Sequence, residues 1–588
     1  LNRPTPAIVT QSAVRRLPRL ALLLLCAAYL LPGLVGRGPW RSVDIASFGY
    51  MAELATPGAA DQGLARWLDP MLLGLRPESP ALMPYWIGAW AIKAAPTWLH
   101  PDLAVRIAFA LLLWGTFMAT WYAVYYLART PRAQPVAFAF GGEAHPTDYA
   151  RAIADGGLLA LIACLGLAQL GHETTPALTQ LFFSSCLFFG VASLPYRRKA
   201  PVVALAVGAL GMTLSGAPAL ALGLGLGSLG IAWHQRRRAA DAWTDHVDLQ
   251  TDSPHGPDAA FSRSAVFTIA TVTVLAGLLA IALDLFHWDI VLPGTHAGVR
   301  LLGDLRSEGK LLLWFTWPAW PLALWTLWRW RRQLTARHVA LPFLFAIVPV
   351  AATLTTDFSE RSLLLALPAM ATLAAFALPT FRRSAAALID WFTLLFFSGS
   401  AVIIWVIWIA MQTGIPAKPA ANVARLAPGF VPEFSVLPFV FALLATIAWC
   451  WLVKWRAGRH RAALWKTLVL PAGGAALCWL LLMTLWLPAL DYGRSYEPQM
   501  RALAERVGKP SCIAELGLGR PHIAAVRHHG HFVLQSLPEG ENCPWLLVAP
   551  GTTNKLNGLV SPDRWHLAGT LRRPTNASDD LLLYKRKP

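Results

Sequence analysis

Charge is scarce in this sequence. Only 14% of its 588 residues are Asp, Glu, Lys or Arg, whereas soluble globular proteins carry roughly a quarter. With 56% hydrophobic residues and a mean hydropathy of +0.47, that shortage excludes an ordinary soluble protein and places the chain in the membrane class. No P-loop, dinucleotide fingerprint or zinc-protease motif interrupts the apolar framework. No continuous basic stripe accompanies the net charge of +18. The basic residues form short clusters between apolar runs, as cytoplasmic loops do, so nucleic acid is not an expected partner. No small-x-small cleavage site follows the apolar run Leu20–Leu31 behind Arg15, Arg16 and Arg19. An uncleaved first helix is therefore expected rather than a signal peptide.

What the sequence does contain is a series of apolar segments. They are Leu17–Val35, Leu103–Leu127, Gly157–Leu170, Ala177–Leu194, Val202–Leu214, Ala217–Trp233, Ala265–Leu285, Leu311–Trp328, Val339–Leu354, Leu363–Ala377, Trp391–Met411, Val436–Val453 and Leu464–Leu487. Against the ~20 residues that a span needs, they read as about thirteen transmembrane helices. Trp is abundant, at 27 residues, and many lie beside these runs, where an aromatic belt sits. Basic clusters follow every even-numbered segment: Arg129 and Arg132, Arg197–Lys199, Arg236–Arg238, Arg329–Arg332, Arg382 and Arg383, and Lys454–Arg461. By the positive-inside rule those ends are cytoplasmic.

The opposite loops are then periplasmic. They include residues 36–102, the short turn His172–Pro176, the stretch Asp284–Lys310, and everything after Pro488. The expected plan is an all-α transmembrane domain over 1–490, with 36–102 as a first external loop carrying interfacial helices. A C-terminal periplasmic α/β domain over 491–588 follows, about 100 residues long and so of domain size. In that tail Cys512–Leu516, His531–Leu534, Trp545–Ala549 and Leu581–Tyr584 read as short strands. Of the seven Cys, Cys26, Cys164, Cys186, Cys450 and Cys478 lie in apolar runs and read as buried packing residues. Cys512 and Cys543 lie in the tail, where a disulfide is open to them if the region is periplasmic.

The first external loop is the most informative stretch. Ala46, Gly49, Tyr50 and Glu53 suit a short amphipathic helix on the membrane surface. Asp44 stands just before it, as a helix cap or as a functional carboxylate. His172-Glu173, pinned between two apolar runs, reads either as a polar turn or as an acid/base or metal-binding pair. Glu78, His287 and His296 are weak candidates for a divalent metal, because carboxylate and imidazole suit zinc. Arg361 opens a span, where a cation is costly unless paired or functional. Its pairing candidates are Asp357 and Glu360. Asn576-Ala577-Ser578 is a formal glycosylation acceptor and reads as incidental.

Several stretches resemble GT-C glycosyltransferases, closest to the branch with the lipid A aminoarabinose transferase and the protein O-mannosyltransferases. Trp40, then Asp44 and a short helix directly after the first span, resembles that branch's first external loop. The branch commonly reads Asp-Glu-x-Arg-Tyr; this chain keeps Asp44 and has Ile45, Ser47 and Phe48 at the other positions. Pro80–Ala89, with Pro84-Tyr85-Trp86, resembles a Lys-Pro-Pro-Leu-x-Tyr-Trp segment without its Lys; Arg76 and Lys93 are nearby cations that do not match by position. Leu311–Pro318, Glu360–Ala369 and Leu487–Tyr496 resemble later segments in the same order.

The resemblance implies a bacterial inner-membrane enzyme with its active site in the periplasm. It would transfer a hexosyl or pentosyl group, with inversion, from a polyprenyl-phosphate-linked donor to a lipid, glycan or protein acceptor. Within that expectation Asp44, His172 and Glu173 are the catalytic candidates. Arg361, Arg300, Lys310 and Arg76 are donor-phosphate candidates, with Arg306 weaker, and Trp40, Tyr50 and Tyr85 would line the substrate. No cofactor is required, although a divalent metal remains open. A transporter or flippase of envelope lipids, or a non-enzymatic envelope assembly protein, is the competing class. The absence of an internal repeat and of ionisable residues at mid-span counts against a transporter.

Overall fold

A computed structural model describes residues 5–56, 63–244, 261–286, 309–355, 360–381, 383–457, 463–552, 564–576 and 579–587. Each expected apolar segment is helical. Among the described residues seven helices are long and apolar enough to cross a membrane: Pro101–Ala128, Pro176–Ser193, Arg263–Ala282, Arg337–Thr355, Ser384–Thr413, Val436–Arg456 and Lys466–Leu485. Arg19–Leu30, Lys199–Leu214 and Leu367–Thr380 are shorter apolar helices.

Three segments expected to be continuous are broken. Gly157–Leu170 is the end of helix Pro146–Ala163 and then helix Leu165–Leu170, parted at Cys164. The amide of Leu165 there bonds Trp317 O at 3.1 Å instead of its own helix. Leu311–Trp328 breaks ahead of Pro318, where helix Ala319–Arg329 begins. Leu363–Ala377 divides into Glu360–Leu364 and Leu367–Ala377 ahead of Pro368. In both latter cases the proline lacks the N–H that would continue the ladder from the preceding helix.

Small residues let the helices approach closely, as membrane packing requires. A Cβ on Gly208 would stand 2.5 Å from the Leu187 amide nitrogen, so helices Pro176–Ser193 and Lys199–Leu214 meet backbone to backbone.

The tail forms a five-stranded sheet of order β2-β1-β3-β5-β4: β1 Ile513–Leu516, β2 Leu534–Ser536, β3 Trp545–Val548, β4 Trp565–Leu571 and β5 Leu581–Arg586. β1 is parallel to β2 and β3; β5 is antiparallel to β3 and β4. The expected strand at His531–Leu534 starts later, because His531 holds a left-handed φ of 54°. β4 was not expected, since Trp565–Leu571 has only its two ends buried. Cys512 and Cys543 are bridged, Cα to Cα 5.3 Å, which ties the start of β1 to the approach to β3.

The first external helix runs from Arg41 to Ala55. It differs from the expected surface helix. Most of it is buried, between helix Met83–Ala94 and helix Arg520–His528 of the tail. Gly49 makes the second contact possible, since a Cβ there would stand 2.6 Å from Ala524 Cβ. Arg527 closes the same interface with an ion pair to Glu53.

Candidate active site

Asp44 lies inside the first turn of helix Arg41–Ala55, not ahead of it. The preceding residue pattern explains the geometry. Trp40 is extended at φ −98°, ψ 155° and caps the helix. Arg41 then takes φ 57°, a left-handed conformation that non-glycine residues seldom adopt and that costs about 1–3 kcal/mol. The Asp44 carboxylate reaches back to accept from the Trp40 amide at 2.8 Å. Its other oxygen accepts from the amide and hydroxyl of Thr174, at 2.7 and 2.6 Å. Asp44 is therefore both a helix cap and a pin between two loops. It is 1% exposed. An ionised carboxylate offers about four acceptor positions, so one remains for a further hydroxyl.

The pinned turn carries Glu173. Its carboxylate is buried and meets two partners, Gln169 at 3.1 Å and Arg361 at 3.4 Å. Arg361 thus pairs with Glu173; Asp357 lies outside the described residues. Burial first, and then the neighbouring Asp44 charge, holds the Glu173 carboxyl above its ordinary range, while Arg361 opposes both.

His172 has a different setting. Its Nδ1 lies 2.6 Å from Ala168 O and its Nε2 3.0 Å from Tyr29 O. Its ring packs on Trp479, centroids 4.5 Å apart, and burial pulls its pKa down to about 4. Each ring nitrogen has a backbone carbonyl within reach, and a neutral ring, with one N–H, donates to one of them, so His172 braces the turn.

Trp40 lies between two guanidiniums, Arg37 at 4.8 Å and Arg494 at 5.2 Å from its ring. Its indole N–H donates to Asp491 at 2.7 Å, as does the Gly38 amide at 2.9 Å. Arg37 is buried and donates to the carbonyls of Gly33 and His172. Arg494 donates to Gln169 at 2.9 Å. The structure therefore brings together Trp40, Asp44, His172, Glu173 and Arg361 from the sequence candidates. It adds Arg37, Gln169, Thr174, Asp491 and Arg494, which sequence reasoning gave no role. Asp491 and Arg494 do sit in the Leu487–Tyr496 stretch that carries the GT-C resemblance.

Other candidates fall elsewhere. Tyr50 and Tyr85 lie along the buried face of the first-loop helix, rings 5.2 Å apart. Tyr50 donates to Leu75 O at 3.0 Å, and burial pushes its pKa up to about 12. Arg76 is exposed and paired with Asp69 at 2.8 Å, so it does not face the Asp44 cluster. Glu78 is exposed and pairs with Arg520 at 3.3 Å. Its proposed metal partners His287 and His296 lie outside the described residues, as do Arg300 and Arg306. Lys310 is exposed. Among the described residues no three His, Cys, Asp or Glu side chains converge as metal ligands.

No family model and no curated protein matches the sequence. Solved structures do match. ArnT from Cupriavidus metallidurans bound to undecaprenyl phosphate superposes with a TM-score of 0.53 at 14% identity, covering 96% of both chains. The apo form of the same protein gives 0.53 at 13% identity with the same coverage. At this identity the likeness is one of fold, and it covers 96% of the chain. The sequence expectation of a polytopic membrane protein with a small α/β tail is borne out: this is a multi-pass membrane protein that shares its fold with the two ArnT structures.

Proposed function

We propose that this chain is an inverting membrane glycosyltransferase, taking a sugar from a polyprenyl-phosphate-linked donor to a lipid, glycan or protein acceptor at the periplasmic face. The observation that carries the reading is the joining of three distant segments at one buried point, Asp44 to Thr174 and Glu173 to Arg361, on a fold shared with a protein solved with undecaprenyl phosphate bound.

The chemistry follows from the groups present. The free acceptor position of Asp44 takes the proton of the acceptor hydroxyl. The hydroxyl oxygen attacks the anomeric carbon, and the carbon–oxygen bond to the donor phosphate breaks. The electron pair leaves on the polyprenyl phosphate, whose growing negative charge is met by Arg361. Placement of the tail in an oxidising compartment is supported by the Cys512–Cys543 bridge, since such bonds persist outside the cytosol. The basic clusters give the same orientation.

The test is sugar transfer by the purified protein from an undecaprenyl-phosphate-linked sugar. Asp44→Asn should keep the fold and lower kcat by roughly 10²–10⁴. A variant that transfers sugar at the normal rate removes Asp44 as base. A purified protein that moves lipid across the bilayer without breaking a bond sinks the enzyme reading. Mass spectrometry of envelope glycolipids, with and without the gene, identifies the acceptor.

A further inference from the structure

The helix Leu487–Arg494 leaves the last apolar segment and ends at the candidate site. Its final residue, Arg494, packs on Trp40 and donates to the side-chain oxygen of Gln169. The amide nitrogen of the same Gln169 donates to Glu173, which pairs with Arg361. Two guanidiniums from helices far apart in sequence thus converge on one glutamine–glutamate pair. Arg41 and Glu173 also act on Arg494 through space. Arg37, Arg41, Arg361 and Arg494 thus share one charged cluster with Asp44, Glu173 and Asp491. Neighbouring guanidiniums held in this way suit a phosphate, which they bind by charge-assisted hydrogen bonds.

What holds Arg494 there is the tail. The connection between β4 and β5 grips the end of the helix by its carbonyls. Arg573 donates to Arg494 O at 2.7 Å, and the Thr575 hydroxyl donates to Gly493 O. Arg573 is itself locked. It is buried, ion-paired to Asp579, and stacked on Tyr496 at 4.0 Å. Its own amide donates to Asp580 at 2.8 Å.

We infer that Arg494 is a second donor-phosphate-binding residue beside Arg361, and that Arg573 and Thr575 of the C-terminal domain are positioning residues that hold it in the site. The connection between β4 and β5 is then part of the donor site without touching the donor itself. This inference rests on the glycosyl-transfer reading above.

The experiment measures undecaprenyl phosphate binding and donor KM and kcat on the full chain in detergent, with a melting curve for each variant as a folding control. Arg494→Ala should weaken undecaprenyl phosphate binding roughly ten- to hundredfold, as expected for loss of hydrogen bonds to a charged group, with Arg494→Lys recovering part of it. Thr575→Val, a gentle change at the surface, should raise donor KM about threefold while leaving kcat nearly intact. Arg573→Lys should do the same more strongly. The double variant Arg494→Ala/Thr575→Val should bind no worse than Arg494→Ala alone, since both act through one side chain. A wild-type protein that binds no undecaprenyl phosphate and transfers no sugar removes the enzyme reading and this inference together. A wild type that binds it, with a folded Arg494→Ala that binds equally well, overturns this inference alone. Thr575→Val and Arg573→Lys variants that only lower the melting temperature, with donor KM unchanged, overturn the positioning role.

Discussion

Two groups of arginines meet the first external loop, and they differ in what surrounds them. Around Asp44, Arg37 is 7% exposed and Arg361 pairs with a carboxylate that is 1% exposed. Around Arg520, the partners are open. Arg76 pairs with Asp69 while 71% exposed, and Glu78 pairs with Arg520 while 74% exposed. Both groups look alike in a list of charges. Water separates them, because a solvated pair contributes little, whereas a buried charge that loses its partner is left with its whole desolvation cost. The comparison shows why Arg76 and Glu78, plausible by position in the sequence, form surface pairs, the first within the loop and the second to the tail, rather than joining the buried cluster.

The sharpest way to break that contrast is to strip a partner from the buried group. Glu173→Ala should cost about 1–3 kcal/mol of stability by removing the buried carboxylate that Gln169 and Arg361 share, read by thermal melting in detergent. Next comes the seam between the two regions. Gly49→Val has no room against Ala524, and overpacking of this kind costs about 1–3 kcal/mol. Limited proteolysis should then release the tail from the membrane part sooner than in the wild type.

Acid should act on the same seam. Burial holds His528 and His529 down to about 4 from an ordinary 6.5; His529 and Arg106 oppose protonation of His528, His531 opposes that of both, and Asp102 favours both. His528 also stacks on Phe48 at 4.4 Å. The undocked tail binds these protons between pH 6.5 and 4 and the docked tail does not. Docking is therefore at full strength above pH 6.5 and is lost as pH falls toward 4. Hydrogen exchange across residues 520–530 at both pH values checks the sign. The smallest effect belongs to the open group. Arg76→Ala should stay within about 0.5 kcal/mol of the wild type.

How much of this the sequence carries depends on the range of the force involved. The apolar helices were legible because the bilayer imposes length and composition on each segment by itself. Their breaks at Cys164 and Trp317 were not, because one of the bonds that sets them joins Leu165 to Trp317 across 152 positions. Asp44 could be singled out from its place after the first span. Its second role, as the acceptor for Thr174, depends on a contact 130 residues away. Arg361 was recognised as needing an anion among its sequence neighbours, and one partner, Glu173, lies in another loop that its local sequence does not reveal. Arg494 and Asp491 were visible only as part of a resembling stretch, since their contacts reach back more than 300 positions. β4 escaped because a strand buried only at its ends has no alternating pattern to read.

One pair of helices stands apart from all of this. Helices Arg383–Thr413 and Val436–Ala457 pack chiefly on each other's neighbour, helix Lys466–Leu485. Only 22% and 11% of their most apolar windows are buried in protein, against 72% for Pro176–Ser193. For this pair the acyl chains are most of the packing partner. Their conformation is consequently a property of the lipid as much as of the sequence. Exchanging long-chain for short-chain phospholipid in nanodiscs should change the hydrogen-exchange rates of these two helices first, while Pro176–Ser193 keeps its protection.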